Sequence, residues 1–408
     1  MKILLVNKFL YPKGGDAIST INTGKLLSSK GHKVIFWGMK HPKNPNYSYK
    51  EVFVSYVDFN RPIGFSQQLK ASINLLYSFE ARNKMEKFLK MERPDIVHLN
   101  NFAHQISPSI LDVFHKYRIP TVMTMRDYKL VCPAYIMLSH GDVCEKCKNG
   151  RYYWCFLKKC TKDSYLKSAL NVIEMYLHHK ILRIYNEVDV FIATSRFLKQ
   201  KIKEMGLKGK VVFLPNFIAF DEFKPFFEWK EKSLCYFGRL SPEKGLFTLL
   251  EAIKGLDIKL KIFGDGPIRT YLEEKVSKEK IQNVYFLGHK SQYELINEVK
   301  NSMAVVLPSE WYETFGRTAI EAFALGKPVI GARIGGIPEL VKDNKTGLTF
   351  EPKNSEELKD KIQSLLKNPD KIIDMGRNAR RFVEKELNPE KHYKQLMEIY
   401  QRAIEKHV

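Results

Sequence analysis

Short apolar runs alternate with helical patterns along almost the whole chain. The opening reads as a strand from Lys2 to Asn7, a turn holding Pro12, Gly14 and Gly15, an amphipathic helix to Lys30 and a second strand from Lys33 to Gly38. That is a βαβ unit. Further apolar runs bounded by turn residues follow at Asp95 to Leu99, Pro120 to Met125, Val188 to Ala193 and Val211 to Leu214, with helical patterns between them. Continuous rather than alternating apolar character predicts parallel strands buried on both faces.

After Pro215 and Asn216 comes an irregular acidic and aromatic segment, Asp221 to Trp229, and then a second βαβ series begins. Its predicted strands are Leu234 to Gly238, Lys259 to Gly264, Val284 to Gly288, Met303 to Leu307 and Pro328 to Gly331. The pattern predicts an α/β protein of two doubly wound domains, 1–215 and 216–388. A last helix, Pro389 to Lys406 within 389–408, carries Tyr, Leu and Ile at helical spacing and is expected to cross back to the first domain. No run of about 18 uncharged apolar residues occurs, so a membrane-spanning helix is not expected. Lys8 interrupts the first apolar run, and no small-residue cleavage site follows it. This argues against a signal peptide and makes a reducing cytoplasm the expected compartment.

At 44% hydrophobic and 27% charged residues, the composition is that of a globular protein. Charge changes the picture more. Lys plus Arg number 67 against 45 Asp plus Glu. Residues 1–215 hold 35 basic and 16 acidic residues, a surplus of 19, which leaves 32 and 29, a surplus of 3, for the rest. The first half is therefore suited to a phosphorylated or anionic partner: nucleic acid, an anionic membrane surface or a phosphorylated substrate.

Candidate chemistry concentrates in the second half. Glu313-Thr-Phe-Gly316, followed by the helical pattern Thr318 to Leu325, places Glu313 on an entering loop and Glu321 inside the helix. The amides of Gly316, Arg317 and Thr318 then lie at a helix N-terminus, which favours phosphate. Gly238-Arg239-Leu-Ser-Pro-Glu-Lys244-Gly245 puts two cations at the carboxyl end of the first strand of the second domain. That is the edge where open α/β sheets bind ligands. Two such cations neutralise a diphosphate leaving group without metal, and no Asp-x-Asp pair suited to Mg²⁺ stands between the domains.

With Gly264-Asp-Gly-Pro267, Phe286-Leu-Gly288, Pro308-Ser309 and Gly335-Gly-Ile-Pro-Glu339, the ordered set resembles the donor-binding half of retaining glycosyltransferases of family 4, which have the GT-B fold. The likeness extends into the first half through Gly14-Gly15, Gly31-His32 and Asp95-Ile-Val-His98. It implies two Rossmann-like domains facing a cleft, with the acceptor on the first and a UDP-, GDP- or ADP-sugar on the second. It further implies that Arg239 and Lys244 hold the diphosphate, Glu321 the ribose, and Glu313 the transferred sugar. The amides of Phe315, Gly316, Arg317 and Thr318 assist. Gly238 and Gly264 belong to the donor turns, Gly288 and His289 flank the base, and Gly14 and Gly15 let the first domain approach the phosphate.

One position departs from that family. Where such transferases often carry a His facing the sugar, this chain has Arg126, followed by Asp127. Arg stays protonated and is no base, so it serves a phosphate or the acceptor; Asp127 and His104 are the remaining candidates for a base. A second unusual feature is Cys144-x2-Cys147-x7-Cys155-x4-Cys160, with Cys132 upstream. The spacing suits a structural tetrahedral Zn²⁺ with Cys132 as substitute ligand, or else unligated thiols or a disulfide. This segment, about 132–160, resembles a cysteine-bearing insertion of polysaccharide-assembling family members. The aromatic and basic stretch that follows reads either as a membrane-interface element or as a core helix with a solvated face.

The expectation is thus a hexosyltransferase-type, retaining enzyme that needs no cofactor for chemistry and works peripherally at the inner face of the cell membrane on a lipid-linked or other anionic glycan in polysaccharide or glycolipid synthesis. The alternatives are a GT-B epimerase or hydrolase, a structural zinc protein, and a basic nucleic-acid-binding protein. The last leaves the donor motifs unexplained and shows no nucleic-acid-binding signature.

Overall fold

A computed structural model describes residues 1–56 and 72–407. Residues 57–71, inside the expected first domain, and Val408, at the end of the expected last helix, lie outside the described residues. The first sheet holds six parallel strands: β1 (Lys2–Val6), β2 (Lys33–Trp37), β3 (Ile96–Leu99), β4 (Thr121–Met125), β7 (Val190–Ala193) and β8 (Val211–Phe213), in the order β2-β1-β3-β4-β7-β8. Ile3 pairs with Val34 on one side and Ile96 on the other. Every residue of β3, β4 and β7 is buried, because helices cover both faces of a parallel sheet.

The second sheet comprises β9 (Ser233–Phe237), β10 (Lys259–Phe263), β11 (Val284–Gly288), β12 (Ala304–Leu307), β13 (Val329–Ala332) and β14 (Gly347–Phe350), in the order β11-β10-β9-β12-β13-β14. Five of these match predicted runs. The sixth, β14, is a four-residue edge strand, too short to declare itself by periodicity.

The helix Pro389–Ile404 returns to the first sheet, where Leu396, Ile399, Tyr400 and Ala403 pack with Ile3, Leu5, Ile96, Val122, Val190 and Ile192. A fully buried side chain of this size contributes about 1.5–3 kcal/mol. The chain therefore passes between domains twice, near Asn216 and near Leu387. The Ile218 amide, donating to the Leu387 carbonyl at 3.1 Å, ties the two crossings together.

The cysteine-bearing segment follows β4. It forms a small antiparallel hairpin, β5 (Leu138–Ser139) with β6 (Asp142–Val143), and the short helix Tyr153–Leu157. The helix Tyr165–Tyr176 then runs into a π turn, Leu177–Ile181. Contacts between domains join the ends of β4 and β7 to the loops after β12 and β13, so the carboxyl ends of the two sheets face each other across a cleft. Thr194 donates from its Oγ1 to the Thr314 carbonyl at 3.2 Å, and Thr314 Oγ1 donates to the Arg126 carbonyl at 3.4 Å.

Candidate active site

Strand β9 ends at Phe237, and a single 3-10 turn, Pro242–Lys244, carries the chain into the helix Leu246–Ile253. This turn aims Lys244 at Glu313: its Nζ stands 2.9 Å from Oε2. Trp311 Nε1 donates to the same oxygen at 2.9 Å, and Ser309 Oγ donates at 3.2 Å. One carboxylate oxygen thus receives three donors, one of them charged, at a side chain only 13% exposed.

The backbone under Glu313 is held as firmly. Gly335 has φ +61, and a Cβ there would lie 2.4 Å from both the amide nitrogen and the carbonyl oxygen of Glu313. Only glycine fits that approach. Next to it, the Gly336 amide donates to the Glu313 carbonyl at 2.7 Å.

Gly316 opens the helix Arg317–Ala324 in the left-handed region, which leaves the first amides of the helix free of intrahelical partners. Phe315, buried beneath the turn, anchors it. Arg317 Nε contacts Glu321 Oε1 at 2.7 Å, while its Nη1 donates across the cleft to Ser19 Oγ at 3.1 Å. A Cβ on Gly15 would sit 3.3 Å from Arg317 Cδ. The Gly14-Gly15 turn therefore meets this helix N-terminus from the opposite domain, and Thr318 lies beside it with its Oγ1 on the Phe237 carbonyl at 3.4 Å.

Other donor candidates line the same edge. Gly238 and Arg239 follow β9 directly and are exposed; the Arg239 charge reaches Tyr135 across the cleft. The Gly264 amide donates to the Gly288 carbonyl at 2.8 Å, which joins the ends of β10 and β11, and His289 is exposed just beyond. Glu321 is engaged with Arg317 through Oε1 at 2.7 Å.

On the first domain, Asp127 accepts the Lys129 amide at 2.9 Å. Burial raises its carboxyl above the ordinary range, and the charges of Lys8 and Lys129 partly offset this. His104 feels the same two lysines and Lys162; burial first, then those charges, hold it well below the usual imidazole range. An imidazole with a lowered pKa and a carboxyl with a raised one therefore belong to the same domain.

Arg126 is held by two amide side chains of the protein. Its Nη1 donates to Asn216 Oδ1 at 2.5 Å and its Nη2 to Asn100 Oδ1 at 3.0 Å. Burial lowers its pKa to about 10. The guanidinium thereby fastens the interdomain crossing to the floor of the first domain.

The cysteines of the segment are neighbours in space. Cys155 and Cys160 hydrogen-bond to each other, and Cys147 lies within the electrostatic reach of Cys132, Cys144 and Cys160. All six thiols of the chain are free. Among the described residues no three His, Cys, Asp or Glu side chains gather closely enough in this structure to hold an ion; the zinc expected at Cys144, Cys147, Cys155 and Cys160 stays a proposal. Physically, Cys155 and Cys160 take each other and the nearby hydroxyls of Thr161 and Ser139 as partners, while Cys132 faces the backbone at Ala134 and Met137.

The segment grips the loop that carries Glu313. Glu145, inside the Cys144-x2-Cys147 spacing, accepts from Tyr312 Oη at 2.7 Å and from Lys201 Nζ at 2.8 Å. Tyr312 adjoins Glu313. Sequence reasoning missed Glu145 because its partner lies 167 positions away. It also passed over Trp311, although that residue stands two positions before Glu313 and carries a ring donor.

The description "Glycosyltransferase Family 4" matches residues 13–222, and "Glycosyl transferases group 1" matches residues 217–382. The chain belongs to glycosyltransferase family 4. As a family member it is 31% identical over 388 residues to an uncharacterised glycosyltransferase of Methanocaldococcus jannaschii, covering 94% of each chain. In fold it is similar to sucrose-phosphate synthase of Thermosynechococcus elongatus, with a TM-score of 0.74 at 20% identity and 98% of each chain covered. It is also similar to Anabaena HepE, solved in complex with UDP and glucose, with a TM-score of 0.70 at 18% identity over 98% of this chain and 99% of that one. The two facing sheets are thus the GT-B fold of a glycosyltransferase.

Proposed function

We propose that this glycosyltransferase transfers a hexose from a nucleotide-sugar with retention of configuration, and that its chemistry requires no metal. One observation carries the reading: Lys244, Trp311 and Ser309 converge on Glu313 beside the free N-terminus of the helix Arg317–Ala324. The cations at Arg239 and Lys244, with the helix amides, form an electropositive cradle for a departing diphosphate. The acceptor hydroxyl attacks the anomeric carbon from the face the diphosphate leaves, a carbon–oxygen bond forms as the sugar–phosphate bond breaks, and the hydroxyl proton passes to the departing phosphate oxygen. Stabilising the charge that develops there is the main catalytic work.

The surplus of 19 positive charges in residues 1–215 favours a lipid-linked or otherwise anionic glycan acceptor, and with it a place on the inner face of the cell membrane in polysaccharide or glycolipid synthesis. No described helix is long and apolar enough to cross a membrane, so attachment would be peripheral. Nucleotide release from UDP-, GDP- and ADP-hexoses, measured with and without glycolipid acceptors, tests the reading. One donor should turn over faster with acceptor, give a product of unchanged anomeric configuration, and survive EDTA. Inverted product, or dependence on added divalent cation, refutes the corresponding part.

A further inference from the structure

The helix Tyr165–Tyr176 buries polar residues and exposes apolar ones. Its buried face carries Ser168, Asn171 and Glu174 beside Met175, and each of the three polar side chains has a protein partner. Ser168 Oγ accepts the Thr161 amide at 3.0 Å, Asn171 Nδ2 donates to the Pro133 carbonyl at 3.2 Å, and Glu174 pairs with Lys129 at 2.6 Å. The outer face is the apolar one. Leu166 is 82% exposed, and Tyr165 and Ile173 are exposed with it.

Leu166, Leu170, Ile173, Leu177 and Ile181 recur at helical spacing through the π turn, so they form one stripe about 20 Å long at 1.5 Å per residue. Ile181, 72% exposed, and Leu182 end the stripe, while Tyr153, Phe156 and Leu157 of the preceding short helix add to the apolar surface. The Phe156 ring lies 5.2 Å from that of Tyr165, which makes the two helices one surface. Soluble helices bury their apolar stripe and expose their polar one. Here Met175, Val172 and Tyr176 pack inward with the polar residues, while a second apolar stripe faces outward.

We infer that this face seats the enzyme on an anionic lipid bilayer, with Leu157, Leu166, Ile173 and Ile181 entering the headgroup region. Charge selects that occupant. Lys158, Lys159, Lys162, Lys167, Lys180 and Arg183 surround the stripe, and of the two acids between Lys158 and Arg183, Glu174 is buried against Lys129, which leaves Asp163. Lys159 Nζ stands 4.6 Å over the Tyr165 ring, so apolar and basic groups are interleaved in the manner of an interfacial helix. A second copy of the chain docked on this face would oppose like charges, whereas anionic headgroups satisfy them. The purpose of the contact, access to a lipid-linked acceptor, rests on the function proposed above; the contact itself does not.

Cosedimentation of the full chain with vesicles of phosphatidylcholine, with and without phosphatidylglycerol, tests the inference. Each sample is also assayed for nucleotide release from the donor in solution. The wild type should pellet with phosphatidylglycerol vesicles and lose that binding in high salt, because charges are screened over about 8 Å already at physiological ionic strength. Leu166→Glu with Ile173→Glu should lower the partition about tenfold or more. Lys158→Glu with Lys159→Glu and Lys167→Glu should abolish the preference for anionic lipid, with donor turnover unchanged in both. Absence of wild-type pelleting, or equal pelleting of the Leu166/Ile173 variant, overturns the bilayer assignment. A concentration-dependent dimer that Ile173→Glu dissolves, without vesicle binding, reassigns the face to self-association. If turnover is present while pelleting is absent, only this inference fails; if no nucleotide-sugar is bound or turned over, the proposed function fails instead.

Discussion

Three donors meet on one carboxylate oxygen of Glu313. With Lys244, Trp311 and Ser309 around it, the side chain is fixed in direction, and its second oxygen is proposed to meet a sugar hydroxyl. Lys244 is the partner of Glu313 and is proposed also to neighbour the leaving group. Lys244→Ala should therefore lower kcat by about 10² or more; steady-state kinetics with the preferred donor checks this, and normal turnover would displace Lys244 from the diphosphate site. The two glutamates should separate by assay. Glu321, held by Arg317 on the helix, is proposed to meet ribose, so Glu321→Gln should weaken free nucleotide and nucleotide-sugar alike. Glu313→Gln should spare free nucleotide and damage transfer. Calorimetric titration with nucleotide, beside kinetics, distinguishes them, and equal loss of nucleotide affinity in both variants would collapse the distinction. The chemistry of these residue types was legible at once; that Trp311 completes the cage was not, because an indole in a loop reads equally as packing.

At the scale of elements, strands buried on both faces announced themselves as unbroken apolar runs, whereas β14 and the β5-β6 hairpin, with two to four residues per strand, carry no usable period. The helix Pro389–Ile404 joins the first domain through more than apolar contact: His98, 3% exposed, lies between Tyr400 Oη at 2.8 Å and Thr124 Oγ1 at 2.7 Å. Burial, aided by the charge of Arg126, lowers the His98 pKa to about 3. The unfolded imidazole, near 6.5, takes up its proton first as pH falls, so stability is full above pH 6.5 and is lost progressively toward pH 3. Over that window a buried group of this kind contributes a slope of about 1.4 kcal/mol per pH unit. Thermal melts of His98→Gln between pH 7 and 4 should show a shallower fall of Tm than the wild type. Parallel curves would show that His98 does not carry the acid sensitivity.

Across the whole molecule, closure depends on contacts that cross the cleft. Glu339, at the start of the short helix Ile337–Leu340, accepts the amides of Arg196 at 2.9 Å and Phe197 at 2.6 Å. A carboxylate of the second domain thereby caps a helix of the first, where the helix dipole favours negative charge. Arg317 to Ser19 and Tyr312 to Glu145 complete the set. Glu339→Ala removes both cap bonds and should open the unliganded enzyme, measurable as a larger radius of gyration in solution X-ray scattering, while donor binding restores compaction. An unchanged radius in the unliganded variant would mean that the other cross-cleft contacts suffice for closure.

The sequence alone determined the two βαβ series, the edge at which the donor motifs collect and the one-sided distribution of charge, because these follow from local periodicity, turn chemistry and counting. Only the tertiary structure decided the pairings between distant positions. Arg126, chemically suited to a phosphate, meets Asn100 and Asn216 at the interdomain crossing; five cysteines come together from a span of 29 residues; and a helix turns an apolar stripe outward. In each case composition and spacing state what a side chain is able to do. Which of its capacities is used depends on the partner that folding brings within about 3 Å, the range at which a hydrogen bond or charge-assisted contact forms.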